Sequence, residues 1–179
     1  FSMTVGKQAF EQRAEAGESL HRLIRHNQAD SKEFRTLASY RGFEIKSEII
    51  KALKDKNIEI KDNGCFTSGA CDYSLYGISL AEEVAKKNIT YGIAICGTGI
   101  GMSIACNKVK GIRCARVVNK EEARLARNHN DANMLALSAA NNLEDLIEII
   151  ETFITSEFSN EERHIKRIEK ITNYENQLK

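Results

Sequence analysis

The chain has 179 residues, 42% of them hydrophobic, which is enough for one α/β domain with a proper core and too little for two. Lys plus Arg number 26 against 25 Asp plus Glu, so no general charge imbalance draws the chain to nucleic acid or to an anionic membrane. No apolar run approaches a membrane span and the opening residues carry no signal-peptide core, so the expectation is a cytoplasmic protein with neither a nucleic-acid nor a membrane partner.

Residues 1–33 are polar and helix-prone, with Phe10, Leu20, Leu23 and Ile24 scattered among charged positions. They read as a helical extension appended to a domain at 34–179. A poor candidate strand at 34–38 carries Arg35, and an amphipathic helix over 44–56 places Ile45, Ile49, Ile50 and Leu53 at helical spacing. A short strand is expected at 58–61 and a second helix over 73–87. The run YGIAIC at 91–96 reads as a strand buried on both faces.

A short helix over 100–107 and a strand at 111–118 follow. Asn119 then caps another helix, a strand at 133–140 is again apolar, and two helices close the chain. Alternating strands and helices predict a three-layer, Rossmann-like α/β sandwich around a mainly parallel sheet of about five strands. In such sheets ligands bind beyond the carboxyl ends of the strands, where Cys96 and the residues after it fall.

Cys96-Gly97-Thr98-Gly99-Ile100-Gly101 leaves a buried strand and opens a helix. Three glycines allow a sharp turn that aims several N–H groups into one cavity, and the helix start adds partial positive charge. The result is an anion hole. Taken alone, the spacing also suits a dinucleotide pyrophosphate, although the loop sits mid-chain rather than in a first βαβ unit, and the Gly-Lys-Ser/Thr ending of a Walker loop is absent.

The five cysteines form no CxxC pair and no zinc-type spacing, so they read as thiols; Cys106 and Cys114 suit small buried hydrophobes. Cys96 differs by position, since clustered N–H donors at a strand end favour thiolate and make it a candidate base. His129 and Asn130 fall in a helix-to-strand turn expected on the ligand side of the sheet, although a lone histidine is more often structural. Arg163 and Arg167 share one face of a helix and could grip a phosphate, or could equally be a solvated face partnered by Glu161, Glu162 and Glu169.

Five segments in this order resemble the ribose-5-phosphate isomerase type B family, which includes the galactose-6-phosphate isomerase subunits. They are RGFEIK (41–46), Asp72-Tyr73, ICGTGIGMSIACNKVKGIR (95–113), ARLARNHNDANMLAL (123–137) and RHIKRIEKI (163–171). The resemblance implies aldose–ketose isomerisation of a sugar phosphate, ribose 5-phosphate to ribulose 5-phosphate or a six-carbon equivalent, with no cofactor and no metal. It implies that Cys96 moves a proton between C1 and C2 through an enediolate. Thr98 and the N–H groups of Gly97, Gly99, Ile100 and Gly101 would stabilise the oxyanion. His129 would open the sugar ring, Tyr73 and Asn130 would bind substrate, and Arg163 and Arg167 would hold the phosphate. A homodimer or dimer of dimers is implied, with each site shared between copies.

Three features depart from the family pattern. Ser39 and Tyr40 stand where an Asp-His pair is usual, Arg35 interrupts the first strand, and Ala140 replaces an arginine after the last strand. The base, the glycine loop, His129 and the paired arginines remain, so the departures leave three readings: a pentose-phosphate isomerase, a hexose-phosphate isomerase, or a catalytically weak sugar-phosphate-binding protein.

Overall fold

The computed structural model describes residues 2–3, 43–60, 62, 64 and 72–178. The strand expected at 34–38, Ser39, Tyr40, Cys65, Cys71 and most of the expected helical extension lie outside the described residues. Of that extension Ser2–Met3 is described, and it is strand rather than helix.

The elements in chain order are β1 (Ser2–Met3), α1 (Phe43–Asp55), α2 (Tyr73–Ala85), β2 (Gly92–Cys96), α3 (Ile100–Cys106), β3 (Cys114–Arg116), α4 (Lys120–Asn130), β4 (Met134–Ser138), α5 (Leu143–Thr155) and α6 (Glu162–Gln177). Sequence chemistry accounts for the helix starts. Asp72, Asn119 and Asn142 each accept a first-turn N–H, from Ser74, Glu122 and Asp145 respectively. The left-handed residue Asp131 (φ 43°) ends α4 and turns the chain into β4.

Among the described residues the sheet has four strands in the order β1-β2-β4-β3, against an expectation of about five. β2, β4 and β3 are parallel, with Gly92 opposite Met134, Cys96 opposite Ser138 and Arg116 opposite Ala136; β1 lies antiparallel on the outer edge of β2. Two expected strands are corrected. Ile58 and Ile60 are buried but form no ladder among the described residues. The strand expected at 111–118 shortens to three residues, because left-handed Gly111 (φ 83°) and the bond from Ile112 N–H to the Val109 carbonyl close a turn there.

Alternation along the strands divides the core into two layers. Ile93, Ile95, Leu135 and Leu137 pack with Ile49 and Leu53 of α1, Ala123 and Ala126 of α4, and Leu146, Ile149, Ile150 and Phe153 of α5. Ala94, Cys96, Met134, Ala136 and Cys114 face the other way, onto Leu80, Ala81 and Val84 of α2 and Met102 and Cys106 of α3. Helices therefore cover both faces, as continuous apolar strands require. Lys46 is buried with its ammonium 2.6 Å from Asp62, a pairing that keeps the desolvated charge from standing alone.

Candidate active site at the end of β2

Cys96 is the last residue of β2 and only 8% exposed, with its side chain on the α2/α3 face. The three carbonyls that follow are held one after another by the neighbouring strands. The Cys96 carbonyl accepts from Ala139 N–H at 2.8 Å, Gly97 from the Ser138 hydroxyl at 2.9 Å and Thr98 from Arg116 Nε at 3.1 Å. A trans peptide points its N–H opposite its carbonyl, so these bonds turn the N–H groups of Gly97, Thr98 and Gly99 away from the sheet. Gly99 N–H then donates to Cys96 Sγ at 3.2 Å. Among the described residues the N–H groups of Gly97 and Thr98 have no acceptor. The thiol is thus in contact with one N–H of a loop that carries two further N–H groups free of an acceptor among the described residues.

Glycine is needed at two of these positions for different reasons. Gly99 has φ 76°, and a Cβ there would meet Leu137 and Ala136 backbone atoms at 3.1–3.2 Å, so the loop lies flat on β4. A Cβ at Gly101 would strike the Tyr73 ring at 2.6 Å, so Tyr73 closes down on the first turn of α3. A Cβ at Gly97 would meet nothing within 4 Å, which leaves open space beside the thiol. Thr98 Oγ1 accepts from Ile100 N–H at 3.3 Å, which leaves the hydroxyl proton free to donate. Asp72, which caps α2 and so sets Tyr73, has its carboxyl held below the ordinary range by the Ser74 hydroxyl and N–H.

His129 and Asn130 do not join this group, and their expected location is corrected. They end α4, which runs back from the carboxyl end of β3 to the amino end of β4, where Gly92 N–H bonds the Asn133 carbonyl. Four strand residues, about 13 Å, separate that level from Cys96. A helix-to-strand turn in a parallel sheet lies at the amino ends of the strands, so the ligand-side expectation reversed the topology. The His129 ring lies 4.4 Å from that of His164, which is buried in α6 and 2.9 Å from the Ser159 hydroxyl through Nδ1.

Arg163 and Arg167 project from the same end of α6. Arg163 pairs with Glu161 at 2.8 Å, and that hydrogen bond holds the Glu161 carboxyl below the ordinary range; Arg167 has no ion-pair partner among the described residues. Beneath them an unanticipated network locks the turn. Asp131 accepts from Arg127 Nη1 at 2.6 Å through one carboxylate oxygen and from Arg113 Nη2 at 2.8 Å through the other. Arg113 Nε also donates to the Asn130 carbonyl at 2.8 Å. Arg127 is 3% exposed, stacked over the Tyr91 ring at 4.9 Å, and donates to the Ala132 carbonyl at 2.8 Å. His129 and Asn130 are thus mounted on a rigid corner.

Ser138 and Arg116 of the loop and Arg113, Arg127 and Asp131 of the corner were not singled out from the sequence. Ser138, Arg116 and Arg113 act on backbone carbonyls distant in the chain, for which no local spacing is diagnostic, whereas Arg127 and Asp131 stand at i,i+4, a spacing open to reading. Among the described residues no three His, Cys, Asp or Glu side chains group as a metal site, and no helix is long and apolar enough to cross a membrane.

The description Ribose/Galactose Isomerase belongs to a family model that matches residues 37–171. The chain is a member of that family. Ribose-5-phosphate isomerase B of Escherichia coli is 39% identical over 132 residues, spanning 73% of this chain and 88% of that protein. The solved ribose-5-phosphate isomerase B of Clostridium thermocellum shares the fold with a TM-score of 0.77 at 38% identity, covering 81% of this chain and 98% of that one. The Mycoplasma genitalium ribose-5-phosphate isomerase B, solved with bound ribulose-5-phosphate, gives 0.75 at 36% identity over 80% of this chain and 95% of that one. The Rossmann-like architecture read from the alternating elements is that of the Ribose/Galactose Isomerase family. Membership also removes the basis for reading the glycine loop as a dinucleotide cradle.

Proposed function

We propose that the chain interconverts an aldose phosphate and a ketose phosphate, with ribose 5-phosphate and ribulose 5-phosphate as the pair, in the cytoplasm. The observation that carries this is the thiol of Cys96, contacted by the Gly99 N–H in a loop whose Gly97 and Thr98 N–H groups have no acceptor among the described residues. Moving a proton between C1 and C2 requires a base next to a carbonyl and preorganised donors where negative charge develops, and each such donor lowers the barrier by about 3 kcal/mol. Cys96 as thiolate removes the C2 proton, the loop N–H groups and the Thr98 hydroxyl stabilise the enediolate oxygen, and the same thiol returns the proton to C1.

The remaining groups come from a second copy. About 13 Å of sheet separates Cys96 from the level of His129, too far for one copy to bring both to one sugar carbon. A homodimer, or a dimer of dimers, in which His129, Asn130, Arg163 and Arg167 of one copy meet the Cys96 loop of the other resolves this. His129 then opens the ring, Asn130 and Tyr73 orient the chain, and the two arginines hold the phosphate. Exposed apolar residues support an interface of this kind at both places: Leu75, Ile100 and Ile104 beside the loop, and Ile171 and Tyr174 on α6 with Leu178 just after it.

Turnover measured on the 5-phosphate of ribose and the 6-phosphates of allose and galactose tests the substrate. The ribose compound is expected to give the highest kcat/KM. A preference for a hexose compound would keep the chemistry and overturn the substrate. Thermal stabilisation by all three with no product would overturn the chemistry.

A further inference from the structure

Arg116 stands apart from the residues that the resemblance assigns. It ends β3 on the face of Cys114, two residues below the level of Cys96 and Ser138, and reaches across β4 to the glycine loop. Its Nε donates to the Thr98 carbonyl at 3.1 Å. That carbonyl and the Gly99 N–H belong to one peptide group, and the Gly99 N–H donates to Cys96 Sγ at 3.2 Å. A cation, a planar peptide and a sulfur are thus joined in one line of hydrogen bonds.

We infer that Arg116 is a positioning residue for Cys96, orienting and polarising the Thr98–Gly99 peptide so that its N–H favours the thiolate. A guanidinium on a carbonyl draws electron density toward oxygen, which makes the N–H of the same peptide a stronger donor. Among the described residues no carboxylate pairs with Arg116; the side chain is exposed, so solvent screens part of its charge, and the direct hydrogen bond to the carbonyl is what transmits the rest. The other titratable side chains on the elements packed around this face are Tyr73, Tyr76, Glu82 and Glu83 of α2, Cys106 of α3 and Cys114 of β3; none carries positive charge, and the two glutamates lie in the last turn of α2, away from its Tyr73 end. Ser138, which holds the preceding carbonyl, is neutral and supplies geometry alone.

The inference rests on Cys96 as the reactive thiol, but its test does not need turnover. Alkylation of Cys96 by iodoacetamide, followed on its own peptide by mass spectrometry, reports the thiolate directly at each pH. Arg116→Gln keeps a donor without the charge, Arg116→Met removes both, and Arg116→Lys restores charge. At pH 7 the Gln and Met proteins are expected to react about three- to tenfold more slowly than wild type, and the Lys protein to recover most of the rate. The deficit should shrink as pH rises, because it reflects ionisation and not access.

Equal rates at pH 7 would overturn the inference. A deficit of the same size at every pH would also overturn it, because it would mean altered access rather than altered ionisation. A failed isomerase assay on wild-type protein would instead sink the proposed function and leave the alkylation result standing.

Discussion

Cys96 and His129 lie at opposite ends of the same parallel sheet, the first closing β2 and the second in the last turn before β4. Both are proposed to act on one sugar, so the site requires two copies. Co-expressed Cys96→Ala and His129→Ala chains test this. Each protein alone is expected at least tenfold below wild type, whereas random assortment returns about a quarter of wild-type activity, since half the dimers then hold one intact site of two. Steady-state assays on the mixture against each parent decide it, and a mixture no better than its parents would rule the arrangement out.

The glycines of the loop should separate stability from turnover. Gly99→Ala places a Cβ at positive φ against β4 backbone and is expected to cost about 1–3 kcal/mol along with most activity. Gly97→Ala meets open space and should leave the melting temperature unchanged while raising KM, because the methyl group enters the volume beside the thiol. Calorimetry and kinetics on both proteins check the contrast.

Much of this arrangement was legible from residues alone. The apolar run at 91–96, the glycines after it and Asn119 before α4 are local signals, and each leads to the element expected. His129 was misplaced because its motif says nothing about which end of the sheet a turn occupies; topology does. The extent of β3 was also overestimated, since an alternating run such as GIRCARVV cannot show that Gly111 spends its first residues on a turn. Arg113 and Arg116 looked like ordinary charges because their partners are groups brought near by tertiary packing, and the i,i+4 pair of Arg127 with Asp131 looked like an ordinary helix-surface pair because its burial is tertiary.

The corner beneath His129 should be costly to break. Arg127→Leu removes the buried guanidinium from Asp131, which keeps Arg113 and is part exposed, so the expected loss is about 2–3 kcal/mol rather than that of an isolated buried charge. Denaturant titration measures it. A loss under about 0.5 kcal/mol would show that the network contributes little.

Alkaline pH should reveal the buried thiol pair. The hydrogen bond to Cys106, and then burial, push the Cys114 thiol well above its ordinary value. A group raised in the folded state holds its full stabilisation below the unfolded pKa and loses it as pH rises beyond that, because only the unfolded thiol then ionises. From about pH 8.5 upward the wild-type melting temperature should therefore fall more steeply than that of Cys114→Ala, as scanning calorimetry at several pH values would record. Parallel curves would contradict the shift.

The most direct measurement is the rate at which ribose 5-phosphate becomes ribulose 5-phosphate with wild-type and Cys96→Ala protein of equal melting temperature. The wild-type chain should interconvert the two without added metal, and the alanine protein should fall by a factor on the order of a hundred or more. Wild-type turnover in the Cys96→Ala protein would show that the proton is carried by another group.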